Sequence, residues 1–161
     1  MKPADPVSRA FELFQEAYQK QMSGELDAAV DLYKKSIEIH ATAEAHTFLG
    51  WTYSFRGEVD AAISECHRAI AVDPDFGNPY NDIGAYLIEK ELFDDAIPWL
   101  KKATVAKRYD APHYAWFNLG RVHERRGRWA EASHAYRKAL EIAAGYPPAA
   151  AALSRIAGAF N

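Results

Sequence analysis

Six histidines and one cysteine are the residues of this 161-residue chain whose types could hold a metal or attack a substrate. His123-Glu124 opens like the helix of a zinc protease, in which two histidines four residues apart hold the ion while the glutamate works on its water. The second histidine would fall at position 127, which is glycine, so the motif fails. His113 and His123 are ten residues apart in one helical pattern, about 15 Å along the axis, too far to share an ion. There is no glycine-rich phosphate loop, no nucleophile elbow and no Cys-x-x-Cys pair. Cys66 falls inside a periodic apolar pattern, where a buried, inert thiol is expected, and a lone cysteine excludes an internal disulfide. The expectation is a non-enzymatic chain with no catalytic residue, metal or cofactor.

The sharpest charged feature is Arg121, Arg125, Arg126 and Arg128. Cations at the C-terminal end of a helix are favoured by its dipole, which makes a solvated turn the plain reading and a docking patch for an acidic partner the sharper one. Nucleic acid is not expected, because the net charge is −3 and no continuous basic stripe with interleaved aromatics is present. Residues 1–76 carry 7 Lys/Arg against 13 Asp/Glu, and residues 77–161 carry 12 against 9. This polarity could orient a polar partner or a second copy. No run of eighteen apolar residues and no signal-peptide core occurs, so a cytoplasmic chain without a membrane partner is expected.

These residues must be positioned by helices, and the helices repeat. Leu49-Gly50, Ile83-Gly84 and Leu119-Gly120 place glycines 34 and 36 residues apart, Ala17 falls 33 before the first, and Ser154 falls 34 after the last. Each small residue starts a ladder of apolar positions. The fourth unit reads Trp116, Leu119, Gly120, Ala132, Tyr136, Ala139, with His123 in the usual Tyr place. The second reads Leu49, Gly50, Tyr53, Ala62, Cys66, Ala69, Pro74, with His46 in place of Trp. The third reads Tyr80, Ile83, Gly84, Leu87, Ala96, Leu100, Ala103, and the first keeps Ala29, Tyr33 and Ile37. Small residues at 50, 84 and 120 and at 62, 96 and 132 let two helices approach closely while bulky neighbours fill the rest.

Turn signals at Ser23-Gly24, Arg56-Gly57 and Arg126-Gly127 separate the helices within a pair, and Lys90-Glu91 in the third pair predicts a less relaxed turn. Prolines 74, 79, 112, 147 and 148 punctuate the pairs. Helices are expected near 7–22, 26–40, 43–56, 60–72, 78–90, 94–107, 112–126, 130–143 and 147–158. Pro98 should remove one hydrogen bond near the start of its helix. The two extra residues within 108–112 should lengthen the connection before the fourth unit.

This pattern resembles the tetratricopeptide repeat family over about residues 10–144. The resemblance implies an all-α, right-handed solenoid of four helix-turn-helix units, at about 10–42, 43–76, 77–112 and 113–146, within a single domain 1–161. The alanine-rich helix at about 147–158 should cap it. In this family the first helix of each pair lines a concave groove that receives an extended peptide or a partner helix. Carried over unit by unit, the groove positions are Phe11, Phe14, Tyr18 and Gln21; Glu44, Thr47, Trp51 and Ser54; Asn78, Asn81, Ala85 and Ile88; and Tyr114, Phe117, Arg121 and Glu124. Six of these sixteen are aromatic, and an exposed apolar strip of that kind needs a partner or a cover.

The expected partner-binding residues are therefore Phe14, Tyr18, Thr47, Trp51, Asn78, Asn81, Tyr114, Phe117 and Arg121, centred on Trp51, Asn81 and Phe117. Core packing is the competing reading for Phe11, Phe14, Trp51 and Phe117, Tyr114 has room beneath the insertion, and Asn78 before Pro79 reads more simply as a helix cap. Trp116 and Trp129 match structural positions of the repeat. The two-carboxylate clamp of chaperone-tail binders is not matched: its places hold Phe14, Tyr18, Phe48, Asn78 and Asp82, or one unit later Thr47, Trp51, Asp82, Tyr114 and Asn118. Two classes remain, a module that binds another protein and a self-assembling module whose groove, or an outer face carrying Phe93, Trp99 and Tyr109, is filled by another copy.

Overall fold

The computed structural model describes residues 2, 3 and 5–161. Among them the chain forms nine helices and no strand: α1 (Pro6–Met22), α2 (Leu26–Ile39), α3 (Ala43–Phe55), α4 (Val59–Val72), α5 (Asn78–Glu89), α6 (Phe93–Thr104), α7 (Pro112–Arg125), α8 (Trp129–Ile142) and α9 (Pro147–Ala159). Local chemistry starts them. The Asp5 carboxylate accepts from the Ser8 amide at 3.2 Å ahead of α1, and the Thr42 hydroxyl accepts from the Ala45 amide at 3.1 Å ahead of α3. α5, α7 and α9 each carry proline in the first turn, where a missing N–H costs nothing.

Within three pairs the chain reverses through a glycine in the left-handed region, Gly24 (φ 81°), Gly57 (φ 79°) and Gly127 (φ 70°). In the third pair Glu91 takes that conformation at φ 60°, the strained turn that Lys90-Glu91 predicts, at a cost of about 1 kcal/mol.

The chain divides into two compact units, Met1–Pro74 and Asp75–Asn161. In the first, α1 packs on α2, α2 on α3 and α3 on α4, with α1 also touching α3. Its core holds Ala17, Ala29, Val30, Tyr33 and Leu49. Buried polar contacts tie the helices: the Ser36 hydroxyl donates to the Ala10 carbonyl at 2.6 Å, the Tyr33 hydroxyl donates to Gln21 Oε1 at 2.8 Å, and His46 Nδ1 lies 2.7 Å from Glu65 Oε2. Gly50 sits so close to α4 that an added Cβ would lie 3.0 Å from the Ala62 carbonyl oxygen.

In the second unit α5 to α9 pack in sequence, and α5 also touches α7. A Cβ at Gly84 would stand 2.2 Å from Leu100 Cδ2, and one at Gly120 would stand 2.4 Å from the Tyr136 ring. The repeat glycines are therefore required by contact. α9 covers α8 with Ala149, Ala152 and Ile156. It is also pinned to α7: Arg155 donates twice to Glu124, at 2.8 and 2.9 Å, and Tyr136 donates to the same carboxylate at 2.6 Å.

The inserted residues do more than lengthen a connection. α6 stops at Thr104, three residues short of its expected end, and the chain then runs back against the start of α5. Arg108 N donates to Asp75 O and Gly77 N donates to Arg108 O, both at 3.0 Å, forming an isolated parallel bridge between Phe76 and Arg108. The Arg108 guanidinium lies 4.2 Å over the Phe76 ring. This seats Tyr109 on Gly77, where a Cβ would meet the tyrosine at 2.4 Å.

The expected outer apolar face is thereby corrected. Tyr109 is half-buried against Gly77. Phe93 is half-buried beneath Arg125 at 5.0 Å, and Trp99 is half-buried between Tyr80 at 6.2 Å and Lys102 at 4.8 Å. Trp129, expected at a structural position, is 41% exposed, with Phe160 covering one side at 5.5 Å.

Candidate functional site

On the first unit, α1 and α3 present a chain of aromatic rings in mutual contact. Phe11 stacks on Phe14 at 6.5 Å, Phe14 meets Phe48 at 5.3 Å, Tyr18 meets Phe48 at 5.7 Å, Phe48 meets Trp51 at 5.7 Å, and Trp51 meets Phe55 at 5.7 Å. Within each helix the rings are three or four residues apart on one face, and the Phe14–Phe48 and Tyr18–Phe48 contacts join α1 to α3. Phe14 and Phe48 are half-buried, resting on Tyr33 and the core, while Phe11, Tyr18, Trp51 and Phe55 are 58%, 42%, 41% and 57% exposed. A cleft of about 330 Å³ opens beside Val7, Phe11, Phe14, His40 and Glu44. Thr47 does not join this surface. It is buried and its hydroxyl donates to Ala43 O at 2.7 Å, inside its own helix.

The surface where α5 meets α7 in the second unit is polar at its centre. Asn118 donates to Asn81 Oδ1 at 3.0 Å and Arg121 donates to Asn118 Oδ1 at 3.0 Å, so a relay of two amides crosses from α5 to α7 and orients an exposed guanidinium. Asn81 is buried in this relay. Asn78 is the first residue of α5 and half-buried, with Gly77 in the cap position.

Beside the relay lies an aromatic cluster. Tyr114 meets Tyr146 at 5.8 Å, Phe117 meets Tyr146 and Tyr136 at 5.6 Å each, and His113 meets Tyr146 at 5.0 Å. Tyr114 is 45% exposed, whereas Phe117 is half-buried in the core shared by α7, α8 and α9. Burial pushes the Asp82 carboxyl up to about 7, opposed only by a side-chain hydrogen bond with Asn81. Burial also lowers His113 below the usual histidine range.

The arginine turn is occupied by its own fold. Arg126 and Arg128 both pair with Asp94, and Arg125 pairs with Glu91 at 3.5 Å. Arg121 stands apart, held by Asn118. Burial lowers His123 from the usual histidine range, with Arg128 adding to the effect, and its Nδ1 is enclosed without a hydrogen-bond partner. Among the described residues no group of three or more His, Cys, Asp or Glu could hold a metal, and no helix is long and apolar enough to cross a membrane.

Phe48, Phe55, Asp82 and Tyr146 belong to these surfaces and are absent from the expected set. Phe48 and Asp82 were visible beside the groove register, and Phe55 lies four residues beyond Trp51 on the same face.

The tetratricopeptide-repeat family model matches residues 113–146, and a second model of the same repeat matches residues 45–80. The chain carries tetratricopeptide repeats. The small glutamine-rich tetratricopeptide repeat-containing protein 2 of Mycosarcoma maydis is 26% identical over 102 residues, covering 62% of this chain and 29% of the relative. The chain thus spans less than a third of that protein's length. Among solved structures, PilF of Pseudomonas aeruginosa superposes with a TM-score of 0.89 at 22% identity, covering 96% of this chain and 70% of that one. MamA gives 0.75 at 23% identity, covering 89% and 84%, and PilW, a type IV pilus biogenesis factor, gives 0.84 at 18%, covering 93% and 69%. At these identities the likeness is one of fold, an all-α repeat solenoid. Tetratricopeptide-repeat folds serve in general as protein-interaction scaffolds.

Proposed function

We propose that the repeats hold a segment of another protein on the inner faces of their first helices, without catalysis. The observation that supports this reading is the aromatic ladder from Phe11 to Phe55, six touching rings of which four are more than 40% exposed. Such rings offer large, stiff contact area at low entropic cost, the composition of a binding hot spot. In the first unit Phe14, Tyr18 and Trp51 supply apolar anchors, while Thr47 supports the helix that carries Trp51. In the second unit Asn78, Tyr114 and Arg121 border a surface able to meet an extended backbone, with Asn81 and Phe117 supporting it from below.

The competing reading is that a second copy covers the same ladder. Sedimentation of the purified chain across concentration separates the two. A monomer that captures a partner, and loses it on Trp51→Ala, fits the proposal; concentration-dependent association abolished by Trp51→Ala would replace it with self-assembly.

A further inference from the structure

Of the four arginines on α7 and the turn behind it, three are already paired: Arg126 and Arg128 with Asp94, and Arg125 with Glu91. Arg121 is exposed and holds a single acceptor among the described residues, the Asn118 carbonyl oxygen at 3.0 Å. Glu124, the carboxylate nearest to it in the chain, is engaged elsewhere by Arg155 and Tyr136. A guanidinium carries five N–H donors in a planar fork, so most of this one's capacity is unused.

The support beneath Arg121 is demanding. Asn118 is 7% exposed and Asn81 9%, and amides removed from water are costly unless their hydrogen bonds are met. Asn118 donates to Asn81 and accepts from Arg121, so the pair that spans α5 and α7 ends on a charged group at the surface. An apolar pair would fill the same junction without that demand, and what the amides add is the orientation of the guanidinium. Beside it a cavity of about 430 Å³ is lined by Ala85, Ile88 and Arg121, together with Glu89 and the paired Arg125 and Glu91. At the register place that holds Tyr18 in α1 and Trp51 in α3, α5 carries the small Ala85, which leaves the room.

Resting on the reading that a partner segment lies on the inner faces, we propose that the second unit anchors that segment through an aspartate or glutamate side chain, whose carboxylate enters this cavity and takes a two-pronged hydrogen bond from Arg121. The two oxygens of a carboxylate match the fork, and a guanidinium already oriented loses little freedom in meeting them. Residues 77–161, with 12 Lys/Arg against 9 Asp/Glu, also favour an anionic visitor. Glu89 opposes it from the same cavity, which gives the test a variant of opposite sign. Asn81 and Asn118 are positioning residues that act through Arg121.

The test is selection of peptides from a displayed random library on the full chain, followed by synthesis of a selected peptide with an amidated C-terminus. The proposal expects Asp or Glu enriched at one fixed position. Arg121→Gln should bind the synthetic peptide about tenfold more weakly, and changing the peptide's acid to its amide should weaken binding to the wild-type chain by a similar factor. The two changes together should cost little more than either alone. Arg121→Lys should recover part of the affinity through charge, Asn118→Ala should weaken binding only where Arg121 is present, and Glu89→Gln should bind more tightly. The acid-to-amide change needs no altered protein, so a variant that folds poorly does not decide the outcome. Peptides with no acidic position, or losses that simply add, would overturn the anchor and leave the partner-segment reading standing. An amidated peptide that fails where its free-acid form binds would also overturn it, by moving the contact to the chain terminus. Recovery of no peptide would overturn both readings. Self-association of the chain that Arg121→Gln abolishes would put a second copy at this site and overturn the proposal as well.

Discussion

The ring of Trp51 meets that of Phe48 edge to face at 5.7 Å, and Phe48 in turn rests on the buried Tyr33 at 6.4 Å. An exposed indole is thus held on a stiff aromatic base that reaches the core. Phe48 anchors the surface and Trp51 presents it, so substitutions at the two positions should separate stability from binding. Phe48→Ala should cost about 3 kcal/mol by opening a cavity at the core edge, read from chemical denaturation.

Gly84 faces Leu100 so closely that even a methyl group collides. Gly84→Ala should lower stability by about 1–3 kcal/mol, and Gly84→Leu by more, measured by denaturant unfolding. Gly24→Ala, in open space but at φ 81°, should instead cost about 1 kcal/mol through backbone strain alone.

The last helix is held by charge as well as by apolar contact. Hydrogen bonds from Arg155 foremost, and from Tyr136, hold Glu124 below the usual glutamate range. A depressed carboxylate contributes stability above its unfolded pKa and loses it as pH falls through the folded value. Arg155→Ala should therefore destabilise by about 1 kcal/mol at neutral pH, with the difference shrinking in acid. Deleting 147–161 should do more, because Ala132, Tyr136 and Ala139 lose their cover, and aggregation on a sizing column should follow.

Asp82 has the opposite sign. Its folded pKa is raised to about 7, so its charge destabilises the fold increasingly as pH climbs from about 4 to 7, and fully above that. Asp82→Asn should raise stability by about 2 kcal/mol at pH 8, a figure reduced for its partial contact with water, and change nothing at pH 4. Thermal melts at the two values check this.

The repeat was legible because it is written in contacts that tolerate few residues. Gly50 against Ala62, Gly84 against Leu100 and Gly120 against Tyr136 mark close approaches that a side chain would crowd. Tyr33 and Tyr136, at equivalent places in their units, donate to Gln21 and Glu124 twelve residues earlier. The strained Glu91 turn followed from a missing glycine. Two features were not legible. The return of residues 105–111 depends on backbone hydrogen bonds to Asp75 and Gly77, which no side-chain pattern announces. The pairing of Asn81 with Asn118 across 37 residues is set by how α5 meets α7, and helical periodicity alone gives the face without the partner.

The most direct test is a pair of measurements on Trp51→Ala, melting temperature and affinity for a captured or selected partner segment. Trp51 is 41% exposed and its removal leaves Phe48 on the core, so the melting temperature should hardly change while affinity falls about thirtyfold, or roughly 2 kcal/mol. A variant that melts well below the parent yet binds its partner with unchanged affinity would contradict the account, because Trp51 would then serve the fold and not the interaction.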